Sequence, residues 1–381
     1  MIPLMRPSLG DWEVSAVRAV IYSGQFRGGW YNSALESVVA GSLGMEAGTT
    51  AVTATAGLWA LLSSLGCGPG KEVVVSNVTC PSVAQAILLT GAKLVLVDND
   101  PVSHQVDSAQ VVSALSSATS AVVSTYAFAM PYDNSALRRQ LANRGIAVIE
   151  DLAGLEGSTV FGRPVGHSAA YSIHSFGPTK MITGGTGGMV CGDAGTVASC
   201  REFLSGGYEL GSKHSLPAGA PRSWLEVGET ALDLELNEMN AAIVLTQLAR
   251  IDELLAARRT HASRYIENLA GLEGASIFLP EPHCAPSWLY MPLICQAPDW
   301  NAVRFIEYMT ERGIQVRRYF RPLSSFRHFR QRARCTEAGL RHSEGSATDT
   351  VLLPIYPDLR SEEIDYICET IFRYANTRVG R

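Results

Sequence analysis

Lys180 closes the run Ser175-Phe176-Gly177-Pro178-Thr179-Lys180, and Gly184-Gly185-Thr186-Gly187-Gly188 follows it closely. Upstream, an apolar run from Gly145 to Ile149 ends in two acids, Glu150-Asp151. A lysine amine condenses with an aldehyde to form a Schiff base. An acid at the mouth of a strand can pair with a protonated pyridine nitrogen and make that ring an electron sink. A lysine in a glycine-rich setting, with such an acid nearby, is what pyridoxal phosphate (PLP) chemistry requires. Each residue also has a plainer reading: Lys180 as a surface lysine after a turn, Asp151 as a helix N-cap at a strand exit. Their joint occurrence favours the site.

Such a site needs elements that bring strand ends together, and the first half of the chain supplies them. Helical spacing runs from Ala54 to Leu65 and stops at Gly66 and Gly68. Pro81 opens a second helix that reaches Leu89. Asn134 to Asn143 reads as a third. Apolar runs at Glu72–Val75, Lys93–Val97, Ala121–Ser124, Ala147–Ile149, Ala169–Ile173 and Met189–Cys191 read as strands. Alternating strands and helices predict an α/β fold with a mainly parallel sheet covered on both faces. Ligands of such sheets sit beyond the strand carboxyl ends, where Asp98 and Asp151 stand.

Residues 206–231 break this pattern with Gly206, Gly207, Gly211, Pro217, Gly219 and Pro221. A loop of that length is usually functional or reaches a partner. A helical region from about Asn237 to Leu269 follows, with Leu245, Leu248, Ile251, Leu254 and Leu255 as its apolar stripe. Beyond Gly274 the pattern is α+β: strands at Trp288–Cys295, Ile314–Arg318 and Val351–Leu353, and helices at Asn301–Arg312 and Ser361–Tyr374. The expected organisation is a large domain over residues 1–245 and a smaller one over 246–381.

The 381 residues are 46% hydrophobic and carry a formal net charge of -5. Such a chain can bury a sizeable core, and its charge argues against a nucleic-acid binder. No apolar run is long enough to span a membrane. The eight cysteines form no C-x-x-C pair, so no metal site is expected. The N-terminus, Met1 to Pro7, has no signal-peptide apolar region, so reduced thiols and a cytoplasmic location are the expectation.

The run Glu150-Asp151-Leu152-Ala153, with Ser175-Phe176 and Lys180, resembles the DegT/DnrJ/EryC1/StrS family, PLP-dependent aminotransferases of fold type I that mostly act on nucleotide-linked keto sugars. The resemblance extends through Gly68-Pro69-Gly70-Lys71-Glu72-Val73, Thr90-Gly91-Ala92-Lys93 and Val97-Asp98. Arg317-Arg318-Tyr319-Phe320-Arg321-Pro322-Leu323 and Leu353-Pro354-Ile355-Tyr356-Pro357 are similar to a subgroup that aminates 4-keto-6-deoxy sugars on dTDP. The fold it implies has a seven-stranded, mainly parallel sheet in the large domain and a smaller C-terminal α+β domain. It implies Lys180 as the catalytic lysine and proton carrier, and Asp151 as partner of the pyridine nitrogen. Thr55, the Ala56 backbone and Ser175 become phosphate contacts; a helix opening suits an anion. Cys80 and Ala153 become further cofactor contacts. A homodimer with sites at the subunit interface is also implied.

Several positions depart from the family. Its usual Gly-Thr is Ala54-Thr55 here. The aromatic that stacks on the cofactor ring is replaced in Thr79-Cys80, and a thiol covers less area. Gly154 stands where Gln or His usually meets the cofactor's 3-hydroxyl. The Asn-x-Arg motif that crosses to the neighbouring phosphate is replaced by Asp233-Leu234-Glu235, and two acids would repel a dianion. Arg222, Lys213 and Arg27 are candidates to compensate. Sugar 3-dehydratases of this fold carry His in place of the lysine. Here His174 lies six residues before Lys180, which disfavours dehydration and makes His174 a packing or hydrogen-bonding group.

Substrate contacts implied by the resemblance are Tyr31, in the glycine-flexed Arg27-Gly28-Gly29-Trp30-Tyr31, and Arg318 and Tyr319. Arg317, Arg318 and Arg321 suit a diphosphate, or form a solvated charged face. The expected activity is amino transfer from glutamate or glutamine to a nucleotide-linked keto sugar in two half-reactions. A cyclitol or natural-product ketone is an alternative acceptor. A PLP-binding regulatory protein without turnover is the alternative of another class.

Overall fold

The computed structural model describes residues 1–209, 224–297, 300–336, 338–346 and 349–379. Two helices open the chain, α1 (Asp11–Ser23) and α2 (Trp30–Leu43). Strands and helices then alternate: β1 (Ala47–Ala51), α3 (Ala54–Ser64), β2 (Glu72–Ser76), α4 (Pro81–Leu89), β3 (Lys93–Val97), α5 (Ser108–Ala114), β4 (Thr119–Ser124), α6 (Ser135–Ala142) and β5 (Ala147–Asp151). A small hairpin, β6 (Thr159–Val160) and β7 (Arg163–Pro164), precedes β8 (Tyr171–Ser175), β9 (Gly188–Gly192) and α7 (Ala194–Leu204). The remainder comprises α8 (Glu238–Leu248), α9 (Ile251–Asn268), β10 (Ala275–Ile277), β11 (Cys284–Ala285), β12 (Met291–Cys295), α10 (Ala302–Glu311), β13 (Arg317–Arg318), α11 (Arg327–Arg330), β14 (Ala333–Cys335), α12 (Arg341–Ser346), β15 (Thr350–Leu353) and α13 (Ser361–Val379).

The main sheet runs β1-β9-β8-β5-β4-β2-β3-β14. Strands β8, β5, β4, β2, β3 and β14 pair in parallel, and β9 lies antiparallel between β8 and β1. Seven of the strands come from residues 47–192, as expected. An eighth, β14, comes from the C-terminal third and extends the β3 edge. Apolar cores lie on both faces. One holds Leu58, Leu61, Val73, Leu94, Ile149 and Ile173, the other Val74, Val95, Val122 and Val148. This period-2 division follows from buried runs that are apolar throughout. A second sheet, β10-β12-β15-β13, packs with α9, α10 and α13 around Tyr265, Met291, Phe305 and Ile367.

The helical region expected from about Asn237 to Leu269 consists of two helices, α8 and α9. Arg250, at φ -121° and ψ 25°, leaves the helical conformation and turns its guanidinium to Glu13 of α1 at 3.2 Å. The boundary expected at residue 245 falls inside α8. In the expected loop 206–231, residues 210–223, with Gly211, Lys213, Pro217, Gly219, Pro221 and Arg222, lie outside the described residues. No helix among the described residues is long and apolar enough to cross a membrane.

The two N-terminal helices pack on α8. The buried Glu238 carboxylate there accepts the backbone N–H groups of Gly29, Tyr31 and Asn32 at 2.9, 2.9 and 3.1 Å. These are donors that the start of α2 cannot satisfy internally. Replacing Glu238 by alanine is expected to cost roughly 3 kcal/mol, as buried donors lose their acceptor. Urea unfolding of the variant measures it, and a loss under about 1 kcal/mol, the size of one ordinary hydrogen bond, would contradict the account.

Candidate active site

The carboxyl ends of β5 and β8 and the amino end of α3 meet at a cavity of about 230 Å³. Thr55, Cys80, Asp151, Ala153, Ser175 and Lys180 line it together, with Thr53, Ser82, Pro178 and Thr186. Strand alternation separates the two neighbouring acids. Asp151 faces the cavity, while Glu150 points to the other sheet face, where it accepts from Tyr126 Oη at 2.6 Å and Asn134 Nδ2 at 2.9 Å. Ile173 and Ser175 likewise face the cavity, so Ser172 and His174 lie on the opposite face.

After Asp151 the chain turns back on itself. The Ala153 N–H donates to Asp151 Oδ1 at 3.1 Å, and the Ala153 carbonyl accepts from Lys180 Nζ at 3.4 Å. Burial pushes the Asp151 carboxyl above its ordinary range, against the pull of the Lys180 charge and the Ala153 N–H. A protonated ring nitrogen set beside this carboxylate would favour its ionised form.

At the other end of the cavity, Thr53 caps α3, its side chain accepting from Ala56 N at 3.1 Å. The Ala56 N–H expected for a phosphate is therefore engaged. Ala54 and Thr55 present the first-turn N–H groups, which by position have no intrahelical partner. Gly188 is what allows the helix to start here: a Cβ on it would lie 2.2 Å from Ala54 N. Gly154 sits at φ +94°, and a Cβ there would meet Leu289 at 2.2 Å. The absence of a side chain at that position is thus built into the packing of the loop.

Besides Ala56, four expected residues lie outside the lining of this cavity. Tyr31, half-buried at the start of α2, packs edge-on against Trp30. Arg318 is exposed on β13. Tyr319 packs against Phe128 and Tyr290 with ring centroids at 4.6 and 6.0 Å. Burial, first, and neighbouring groups including Cys80 and Asp151 hold its hydroxyl well above the usual range, so it stands close to the site. Asp233 pairs with Arg27 Nη1 at 2.6 Å, and Glu235 lies 3.9 Å from the same guanidinium. The two acids expected in place of the family's Asn-x-Arg thus face a cation of their own chain. Thr53 was missed by the sequence reading; its place, extended just before a helix, is the N-cap signal.

The residues fit PLP. A cavity of small-ligand size has an amine and a buried carboxylate on its walls and a helix amino end for a phosphate. A large, mainly parallel sheet with such a cavity at its strand ends is the arrangement expected of a fold type I PLP-dependent transaminase. A model of the DegT/DnrJ/EryC1/StrS aminotransferase family matches residues 7–372, and the chain belongs to that family. Among solved structures it is similar to the aminotransferase TlmJ from Streptoalloteichus hindustanus, at 26% identity and a TM-score of 0.89, covering 100% of both chains. It is also similar to the sugar aminotransferase CalS13 from Micromonospora echinospora, at 27% identity and a TM-score of 0.86, covering 97% of this chain and 99% of that one. A third is S. venezuelae DesV, solved in complex with a ketimine intermediate: 25% identity, TM-score 0.85, 95% of this chain and 94% of that one.

Proposed function

We propose that this transaminase moves an amino group from glutamate or glutamine to a nucleotide-linked keto sugar of the 4-keto-6-deoxyhexose type. The observation that carries the reading is the shared cavity of Lys180, Asp151 and Ser175 at the strand ends. The likeness to CalS13, named a sugar aminotransferase, supports the acceptor class. When bound, PLP supplies an aldehyde that takes up the amino group and a ring that accepts electrons. Lys180 Nζ holds the cofactor and then carries the proton lifted from the donor's α-carbon. Asp151 keeps the proton on the ring nitrogen. Ser175, Thr55 and the opening of α3 hold the phosphate, and Cys80 covers the cavity wall. Tyr319 and Arg318, with Tyr31, are assigned to the acceptor.

The working unit is a homodimer. Trp12, Tyr22 and Trp30 on α1 and α2 are 76, 83 and 67% exposed, an apolar area suited to burial against a second copy. Asp233 and the rest of that segment would then lie near the neighbouring site, with Arg27 offsetting their charge.

The protein loaded with PLP should absorb in the visible. Glutamate or glutamine should bleach that band, and keto acceptors should restore it. Double-reciprocal plots should be parallel, as expected for two half-reactions. Restoration by dTDP-, UDP- or GDP-linked keto sugars supports the acceptor assignment. Restoration by free cyclitol ketones alone would replace it, and no bleaching by either donor would overturn the donor assignment.

A further inference from the structure

Beneath the cavity, on the opposite face of the sheet, His174 and Glu156 are each 6% exposed and lie 3.7 Å apart, Nδ1 to Oε1. That distance suits an ion pair and is too long for a hydrogen bond. Neither Glu156 oxygen nor His174 Nδ1 has a hydrogen-bond partner among the described residues. His174 Nε2 meets Ser172 Oγ at 3.2 Å. A buried carboxylate without hydrogen bonds is tolerated only beside a compensating charge, and the imidazolium of His174 supplies one.

The two residues join the segments that carry the chemistry. His174 immediately precedes Ser175 on β8. Glu156 ends the short loop in which Ala153 touches both Asp151 and Lys180. The same loop is held from the other side, where Ser287 Oγ donates to the Gly154 carbonyl at 2.8 Å. We propose that His174 and Glu156 form a charged positioning pair that fixes the loop after Asp151 against β8 and sets the electrostatic balance felt by Asp151. The proposal rests on the reading of the cavity as a PLP site.

The titratable groups that face His174 are Glu156 from the loop, Cys191 from β9 and, through the sheet, Asp151. Burial disfavours the imidazolium. The Cys191 sulfur and the Glu156 carboxylate favour it and outweigh burial, holding the proton up to about pH 9 against an ordinary value of 6.5. The His174 charge draws the Asp151 carboxyl down, and the Glu156 charge pushes it up. Losing one partner of the pair therefore moves Asp151 in the opposite sense from losing the other.

The test uses the PLP-loaded protein and follows the pH midpoint of its visible band. His174→Gln removes the charge that draws the Asp151 carboxyl down and should raise the midpoint, by up to about one unit. Glu156→Gln removes the charge that pushes it up and should lower the midpoint by a similar amount. Both shifts are smaller than the 1–3 units of a contact pair. The apolar double variant His174→Phe/Glu156→Leu restores charge balance and should return near wild type. A merely structural role would loosen the site in both single variants, with shifts of the same sign or none, and would overturn the proposal. A wild-type protein without a visible band would instead refute the PLP reading.

Should a single variant fail to fold, the apo-protein supplies a second measurement. The raised His174 value gives stability that is complete below pH 6.5 and is lost as the pH rises through about 9. The Tm of wild-type apo-protein should fall over that interval more steeply than that of the double variant. Equal slopes would overturn the proposal.

Discussion

Lys180→Ala is expected to abolish transamination while leaving the fold in place. Lys180 is half-buried, and its side chain has one long hydrogen bond, to the Ala153 carbonyl at 3.4 Å. Such a contact holds little stability, so the Tm should change by no more than a degree or two. The chemistry loses more. Lys180 Nζ is the amine at the cavity wall beside Asp151, so the variant loses both the covalent hold on the cofactor and the proton carrier. Proton transfer by a positioned group contributes roughly 10²- to 10⁴-fold, and loss of the covalent hold adds to it, so kcat/KM should fall at least about 10⁴-fold. Borohydride reduction and mass spectrometry of the wild type should find the cofactor fixed on the peptide containing Lys180; the variant should show none. Added methylamine should restore part of the proton transfer, because a free amine can occupy the vacated space. A cofactor still fixed by borohydride to the variant would move the role to another amine.

The elements that bring these groups together were legible because each is a local pattern. The apolar runs of β5 and β8 end in polar residues, and strand ends of a parallel sheet converge. Asp151, Ser175 and Lys180 thus meet where the alternation of strands and helices places them. Thr55 follows from the opening of α3, though the cap belongs to Thr53 and occupies the Ala56 N–H that was expected for the phosphate. What escaped the sequence depends on long-range contacts. Nothing near α2 announces that its free N–H groups are met by Glu238, some 200 residues away. Strand β14 has three residues, too few for a periodic signal, yet it extends the sheet at β3. The exposed apolar residues of α1 blur the amphipathic pattern that would have marked it as a helix. Arg27 is legible as a candidate cation, but its pairing with Asp233 is a distance, not a motif. His174 read as a hydrogen-bonding group; that its neighbour is the buried Glu156 follows only from the turn of the loop after Asp151.

Asp151→Asn is expected to reduce kcat/KM roughly 10²- to 10³-fold while making the apo-protein slightly more stable. The two effects have one cause. Burial pushes the Asp151 carboxyl up, so the folded chain bears a cost whenever that group is ionised. The native state then binds this proton more tightly than the unfolded chain, and the stability tied to it is lost as the pH rises above the ordinary value near 3.8. An asparagine removes the ionised form at neutral pH, and the Tm of the apo-protein should rise by about a degree or two. A neutral amide, however, cannot hold the proton on the ring nitrogen. A carboxylate beside a cation is worth about 1–3 pKa units, or roughly 1.4–4 kcal/mol, and the expected rate loss corresponds to the upper part of that range. The wild type should lose cofactor affinity as Asp151 is protonated on the acid side, at a higher pH than an exposed aspartate would dictate. The asparagine variant should bind weakly and without that acid limb. Fluorescence titration of PLP across pH 4–8 distinguishes the two curves. An asparagine variant with the affinity and acid limb of the wild type would remove Asp151 from the cofactor, and an apo Tm below the wild type would mean that the carboxylate is a structural group of the loop.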